Sequence, residues 1–262
     1  MRQVFPGPRR GVLLCILLAG FIAGWLIDLQ PRQLNPGEGG VELAKRFFGA
    51  ALKPHISEAG RDGLFHAVVQ TLKIAFAAIG LSILLGLAMA YFCCEFMHPA
   101  IRHPFRVLMA CLRSVHELLW ATLFLAAFGM SPIAAVIALT IPYTGTFAKL
   151  YAEMIDEIEL GPANSLHACG ARSFQVFLFA RLPLAFADMV SYTLYRLECA
   201  IRSSAVMGFM GITTLGYYLS TAYENAIYAE VWGYLYVLIV LVVVFERWSS
   251  LIRHRLNVGV QA

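Results

Sequence analysis

Residues 161–183 read GPANSLHACGARSFQVFLFARLP, a polar island between two long apolar stretches. Pro162 can open a short helix that runs through Cys169, and Gly170 stops it, as glycine does at a helix C-terminus. Ser173 is placed to cap a second helix, which turns apolar and continues through Leu182 and Pro183. Leu166 is expected to stand exposed on the short helix as a knob for a partner's groove. An amphipathic connector would show the same pattern, because helix-glycine-helix is common.

The surrounding composition decides where such an island sits. The chain has 262 residues, 60% hydrophobic and 14% charged, against about a quarter charged in ordinary soluble domains. Several windows run about 18 residues or more with few charges, the pattern of bilayer-spanning helices. The net charge of +4 is no sign of nucleic-acid binding. Six cysteines (15, 93, 94, 111, 169 and 199) show no C-x-x-C or Cys/His metal spacing. They read as buried or cytoplasmic thiols, with Cys93-Cys94 as a metal or redox pair the alternative.

Six spans are expected: Val12–Ile27, Phe65–Phe92, Leu108–Phe128, Pro132–Leu150 with a more polar extension to Ile158, Leu184–Met207 and Val231–Phe245. The first is read as an uncleaved helix, because Trp25 to Leu29 offer no small-residue cleavage site. Residues 31–64 form a polar connector, 93–107 a loop, and 208–229 a Gly/Tyr/Thr-rich loop. Pro142 is expected to kink the fourth span.

Six spans put both termini on one side, and the cations say which. With the N-terminus inside, inner segments hold Arg2, Arg9, Arg10, Arg102, Arg106, Arg113, Lys149, Arg172, Arg181, Arg247, Arg253 and Arg255. Outer segments hold Arg32, Lys45, Arg46, Lys53 and Arg61, all in the first outer loop. That asymmetry favours an N-in, C-in topology, with the island in the cytoplasm.

The island's frame is similar to the E-A-A-x-x-x-G-(x)9-I-x-L-P signature of binding-protein-dependent ABC importer permeases. Gly170, Leu182 and Pro183 match, while Asn164 stands for Glu, Ser165 and Leu166 for Ala, and Ala180 for Ile. The resemblance implies that residues 158–183 form a coupling loop docking into an ATPase subunit, through Pro162, Asn164, Ser165, Leu166, Gly170, Leu182 and Pro183.

A second match is narrower. Ser191-Tyr192-Thr193-Leu194-Tyr195-Arg196-Leu197-Glu198, followed by Arg202-Ser203-Ser204-Ala205-Val206-Met207-Gly208, resembles a run in phosphonate-importer permeases of the PhnE type. Thr71-Leu72 and the Arg113-x-x-x-Glu117 pair resemble it too. The resemblance covers about residues 65–250. It departs at Gly211-Ile212-Thr213-Thr214-Leu215-Gly216, where that family has G-A-G-G-I-G, so two glycines become threonines. Gly208, Gly211, Thr213, Thr214 and Gly216 would form an outer gate or loop.

At ~100° per residue, Asp188, Ser191, Tyr192, Tyr195, Arg196, Glu198, Cys199, Arg202 and Ser203 fall within an arc of roughly 160°. Met189, Val190, Leu194, Leu197, Ala200 and Ile201 lie opposite, with Thr193 and Ser204. Charges on a spanning helix must face a bundle interior or water. Glu198 and Arg202 have the spacing of an i, i+4 pair, which leaves Arg196 to pair with Glu117 on the third span. Two readings stay open. The charges lock helices together, or Lys73, Glu117, Tyr192, Tyr195, Arg196, Glu198 and Arg202 line an anion path, with Lys73 and Arg202 as an outer vestibule. His116 is expected as a hydrogen-bonded residue within a helix rather than a proton relay.

The expected protein is an all-α integral membrane permease, six-span, with the type I ABC importer fold, in a prokaryotic plasma (inner) membrane. Residues 1–64 hold the first helix and outer loop, 65–250 the permease domain and 251–262 a cytoplasmic tail. The family implies a homodimer embedded in lipid, two separate ATPase subunits carrying ATP and Mg, and an external or periplasmic binding protein that delivers a phosphonate-like oxyanion. The chain itself has no phosphate-cradling P-loop and no enzyme motif; no cofactor, metal or nucleic acid is expected on it. Phosphite, hypophosphite and phosphate are alternative cargoes. A proton-coupled carrier or intramembrane enzyme built on His116, Glu117 and Glu198 is the alternative from another class.

Overall fold

The computed structural model describes residues 8–26, 37–158 and 161–260, and every regular element among them is helical. The chain divides into two compact units, Met1–Leu52 and Lys53–Ala262. The first holds α1 (Pro8–Leu26) and α2 (Glu38–Ala50). The described apolar stretch of α1 covers Leu14–Gly24; Ile27, where the first span was expected to end, lies outside the described residues. The polar connector is partly helical, for α2 occupies it and carries an Arg46–Glu42 ion pair one turn apart.

The second unit is built on α3 (Glu58–Cys93), α4 (Pro99–Ser114), α5 (Glu117–Phe128) and α6 (Pro132–Asp156). The island follows as α7 (Gly161–Ala168) and α8 (Ser173–Val176), then α9 (Leu182–Val206), α10 (Leu215–Glu224) and α11 (Tyr228–Val260). Starts are set by local chemistry. Ser57 and Ser131 accept from the amides of Gly60 and Ala134, and Pro99 and Pro132 occupy first-turn positions that need no N–H donor.

Among the described residues, four stretches are long and apolar enough to cross a bilayer: Gly60–Cys93, Pro132–Asp156, Ser173–Met210 and Tyr228–Arg255. The expected third span is not one rod. α4 and α5 meet at an 81° bend. Val115 and His116 are extended there, and His116 Nδ1 accepts from the Leu118 amide. His116 is therefore a helix cap rather than a helix-interior residue, and Glu117 opens α5, where its charge complements the helix dipole. Two other expectations are corrected. The 93–107 loop is mostly α4, and the 208–229 loop holds a 3₁₀ turn (Met207–Met210) and α10; α11 itself runs on past residue 251. α6 runs unbroken through Pro142.

The core lies where α3, α6 and α9 pack, around Ile74, Leu139, Phe147, Tyr151, Ile155 and Ile201. Small residues let these backbones approach, as they do between helices in membranes. Gly145 of α6 faces the α4 backbone so closely that a Cβ would stand 2.7 Å from the Met109 carbonyl oxygen.

Candidate functional site

The island folds nearly as its sequence reads. Gly170 adopts φ +82°; its amide donates to His167 O and the Ala171 amide to Leu166 O. This is a Schellman closure, and it draws the third-last helical residue inward against the one that follows glycine. Leu166 is that residue. It is half-buried with Ala171 against Ala163, Val176 and Ala180, so it is no exposed knob. The face the island presents is Pro162, Asn164, Ser165 and His167. Arg172, not Ser173, precedes the next helix, and its amide donates to Gln175 Oε1 at 2.8 Å.

From Ser173 the chain is helical to Met210 with a π-turn at Phe177–Arg181, where the Leu182 amide reaches back five residues to Phe177 O. Pro183 explains the widening. Its ring would crowd the carbonyl four residues back, and it brings no N–H to a regular ladder.

Beside the π-turn lies a site the sequence reading missed. Asp156, closing α6, accepts from the Glu95 amide at 2.9 and 3.0 Å. It pairs with Arg106 at 3.2 Å and Arg181 at 3.8 Å. Arg106 also donates to Cys93 O, and Arg181 stacks on Phe96. One carboxylate thus joins the ends of α3 and α6 to α4 and the π-turn. The aspartate at a helix end between two cationic segments was the available signal. Cys94, just past α3, is fully buried there; burial first, then Asp156, pushes its thiol up, away from the reactive thiolate.

On α9 the apolar side turns inward. Met189, Leu194, Leu197, Ala200 and Ile201 are buried. The two polar residues on that side anchor it: Thr193 meets Tyr151 at 2.6 Å, and Ser204 donates to Thr71 O. The opposite arc divides. Glu198 is buried and pairs with Arg253 of α11 at 3.4 Å, so the expected Glu198–Arg202 pair does not form. Asp188, Tyr195 and Arg202 are exposed, and among the described residues Arg202 reaches only Cys199 Sγ, at 3.8 Å. Lys73 on α3 is exposed as well.

Arg196 and Glu117 line one cavity of about 250 Å³ with Arg113, His116, Tyr143 and Thr146, at the α4–α5 bend. They are not paired. Arg196 donates to Tyr192 Oη at 2.5 Å and lies over the Tyr192 and Tyr143 rings, while Glu117 accepts from Ser203 Oγ. The bend puts Glu117 at the start of α5 rather than inside one straight third span. The cavity offers a guanidinium held by aromatic faces and a second arginine, both suited to an oxyanion, and a carboxylate that opposes one.

The presumed outer gate is a packed knot. Gly208, Thr214 and Gly216 are buried, Gly211 takes φ +92°, and Thr213 alone of the two threonines is exposed. Thr214 Oγ1 donates to Ala205 O, and the Leu215 amide to Thr71 Oγ1.

Residues 82–257 match the family described as binding-protein-dependent transport system inner membrane component. Over 248 residues, 94% of its length, the chain is 30% identical to the phosphate-import permease protein PhnE of Mycolicibacterium smegmatis, and it spans 45% of that relative. It is 30% identical over 207 residues to the phosphite transport system permease protein PtxC of Stutzerimonas stutzeri, covering 78% of this chain and 74% of that one. In fold it resembles a chain of the MetNI methionine ABC transporter, solved in inward-facing conformations, with TM-score 0.69 at 20% identity over 77% of this chain and 99% of that one. An amino acid ABC transporter solved with histidines gives 0.63 at 19%, over 74% and 94%. The chain therefore belongs to the binding-protein-dependent transport system inner membrane components, as a multi-pass membrane protein with the type I ABC importer permease fold.

Proposed function

We propose that this chain is the translocating subunit of an ATP-driven importer for phosphonate-like oxyanions, acting as a homodimer with two separate ATPase subunits and an external binding protein. The observation that carries the reading is the outward arc of α9, where Tyr195 and Arg202 are exposed beside half-buried Tyr192 and Arg196. Such a face is unstable against lipid and calls for a second copy or a water-filled path. Arginine forks suit the oxygens of phosphonate, phosphite or phosphate, and the names of the two curated relatives point to the same chemical class. The cation count puts the island in the cytoplasm, where closure of the ATPases would pull two such islands together and reopen the bundle outward.

Arg202 tests this cleanly, because among the described residues it has no carboxylate contact that folding would lose. Arg202→Gln should leave assembly with the ATPase intact and cut oxyanion uptake roughly tenfold or more, the worth of a charge-assisted hydrogen bond. Unchanged uptake in cells carrying the complete importer would reject the assignment. The island has its own test. Asn164 is exposed where the family signature has glutamate, so docking is expected to rest on the small polar face of Ser165 and His167. Asn164→Glu should change substrate-stimulated ATPase activity less than twofold, because a lone exposed ion pair contributes little. A several-fold rise would show that a polar tether was missing.

A further inference from the structure

Two cavities beside α4 share one side chain. Arg113 lines the 250 Å³ cavity that holds Arg196 and Glu117, and it also lines a second, of about 120 Å³, between Arg106 and Lys149. The lining positions step along the helices. On α6 they are 142, 143, 146, 149 and 153; on α4 they are 113, 110, 109 and 106. Positions three or four apart recur in both sets, which marks a single face of each helix. The cavities are thus successive lengths of one groove, running from the α4–α5 bend towards the island end.

Charge is arranged along it. Glu117 accepts from Ser203, Glu153 pairs with Lys149 at 3.4 Å, and Asp156 holds Arg106. Arg113 has no carboxylate partner among the described residues, although its backbone is held against α6 by the close approach at Gly145. An arginine so fixed and exposed, with no carboxylate bound to it, is placed to meet an anion in the groove.

We propose that this groove is the inner half of the anion's route, with Arg113 as the station between Arg196 and the exit at Arg106 and Lys149. The proposal rests on the oxyanion-importer reading and adds the residues that hand the anion on. Positions 106 and 113 are ~10 Å apart at 1.5 Å per residue, a step an oxyanion can make between arginines. Conduction needs several modest sites rather than one tight one. Glu153 beside Lys149 weakens the last station and so favours release.

The test places a thiol in the groove. Ala110, exposed on the wall of the smaller cavity, is changed to cysteine in the complete importer, in inside-out vesicles. Modification at position 110 is followed by mass spectrometry with an anionic and a cationic methanethiosulfonate. Relative to free cysteine, the anionic reagent should be favoured. Arg113→Gln should lower that preference on the order of tenfold, the scale of field focusing in a charged cleft, and Arg113→Lys should keep it. Uptake should fall with Arg113→Gln and survive Arg113→Lys. A charge-blind groove, or a preference indifferent to Arg113→Gln, overturns the proposal even where oxyanion uptake is normal. An anion-preferring groove in an importer that takes up no oxyanion overturns the cargo reading instead.

Discussion

Replacing Gly216 with alanine is expected to unfold the outer end of the bundle. A Cβ at 216 would fall on the Ala205 carbonyl oxygen and within 3.5 Å of the Gly208 Cα. Neither neighbour is the tip of a flexible side chain. Both are backbone, one closing α9 and the other in the 3₁₀ turn, and both lie among buried residues. Thr214 and Leu215 donate into the same knot, to Ala205 O and Thr71 Oγ1, so relief by movement breaks buried hydrogen bonds. Overpacking of this kind costs about 3 kcal/mol or more, a large part of a marginal stability. The readouts are the yield of monodisperse protein in detergent and its melting temperature. Gly80→Ala on α3 is the control, because a Cβ there meets nothing within 4 Å, and it should melt at or slightly above wild type. A Gly216→Ala protein that melts with the wild type would refute the packing described.

The second large effect is asymmetric. Glu198 and Arg253 form an ion pair between α9 and α11, with the glutamate side chain 10% exposed and the arginine 31%. Removing one partner of a buried pair strands the other, at about 3–5 kcal/mol. The two strandings differ. Arginine left behind can extend its long stem towards water, whereas Glu198, short and enclosed, cannot. Arg253→Ala should therefore destabilise more than Glu198→Ala, by about 1 kcal/mol or more, and the double variant should cost less than the sum. Thermal unfolding of the four proteins completes the cycle. Equal and additive losses would show that the pair contributes no coupling.

These two sites also mark how far the sequence could be read. Long apolar helices, the glycine-closed island and the inward and outward sides of α9 follow from local periodicity, and the structure carries all of them. The break at Val115 and His116 escaped because a hydropathy window passes over two residues, although a capping histidine followed by an acidic residue was the signal. Leu166 was misplaced because exposure was read from helix position, while the Schellman closure at Gly170 governs it. Gly208 and Gly216 were assigned to an outer gate or loop, yet glycine serves equally where backbones touch. The Glu198–Arg253 pair spans 55 residues, and no spacing rule reaches across a bundle. The Arg113 groove needed two helices in register, which only the fold supplies.

The π-turn at Phe177–Arg181 bears on aim. A residue of helix turns ~100°, so one residue accommodated in a widened turn rotates everything beyond it by about that angle relative to a plain helix. The orientation of Arg196 and Arg202 about the α9 axis, counted from the island, is therefore set like a dial by a single position of chain. Gaining or losing one residue there would re-aim the arginines while leaving both the island and the arc intact. The thirteen-residue step from Gly170 to Pro183 then encodes an angle more than a length.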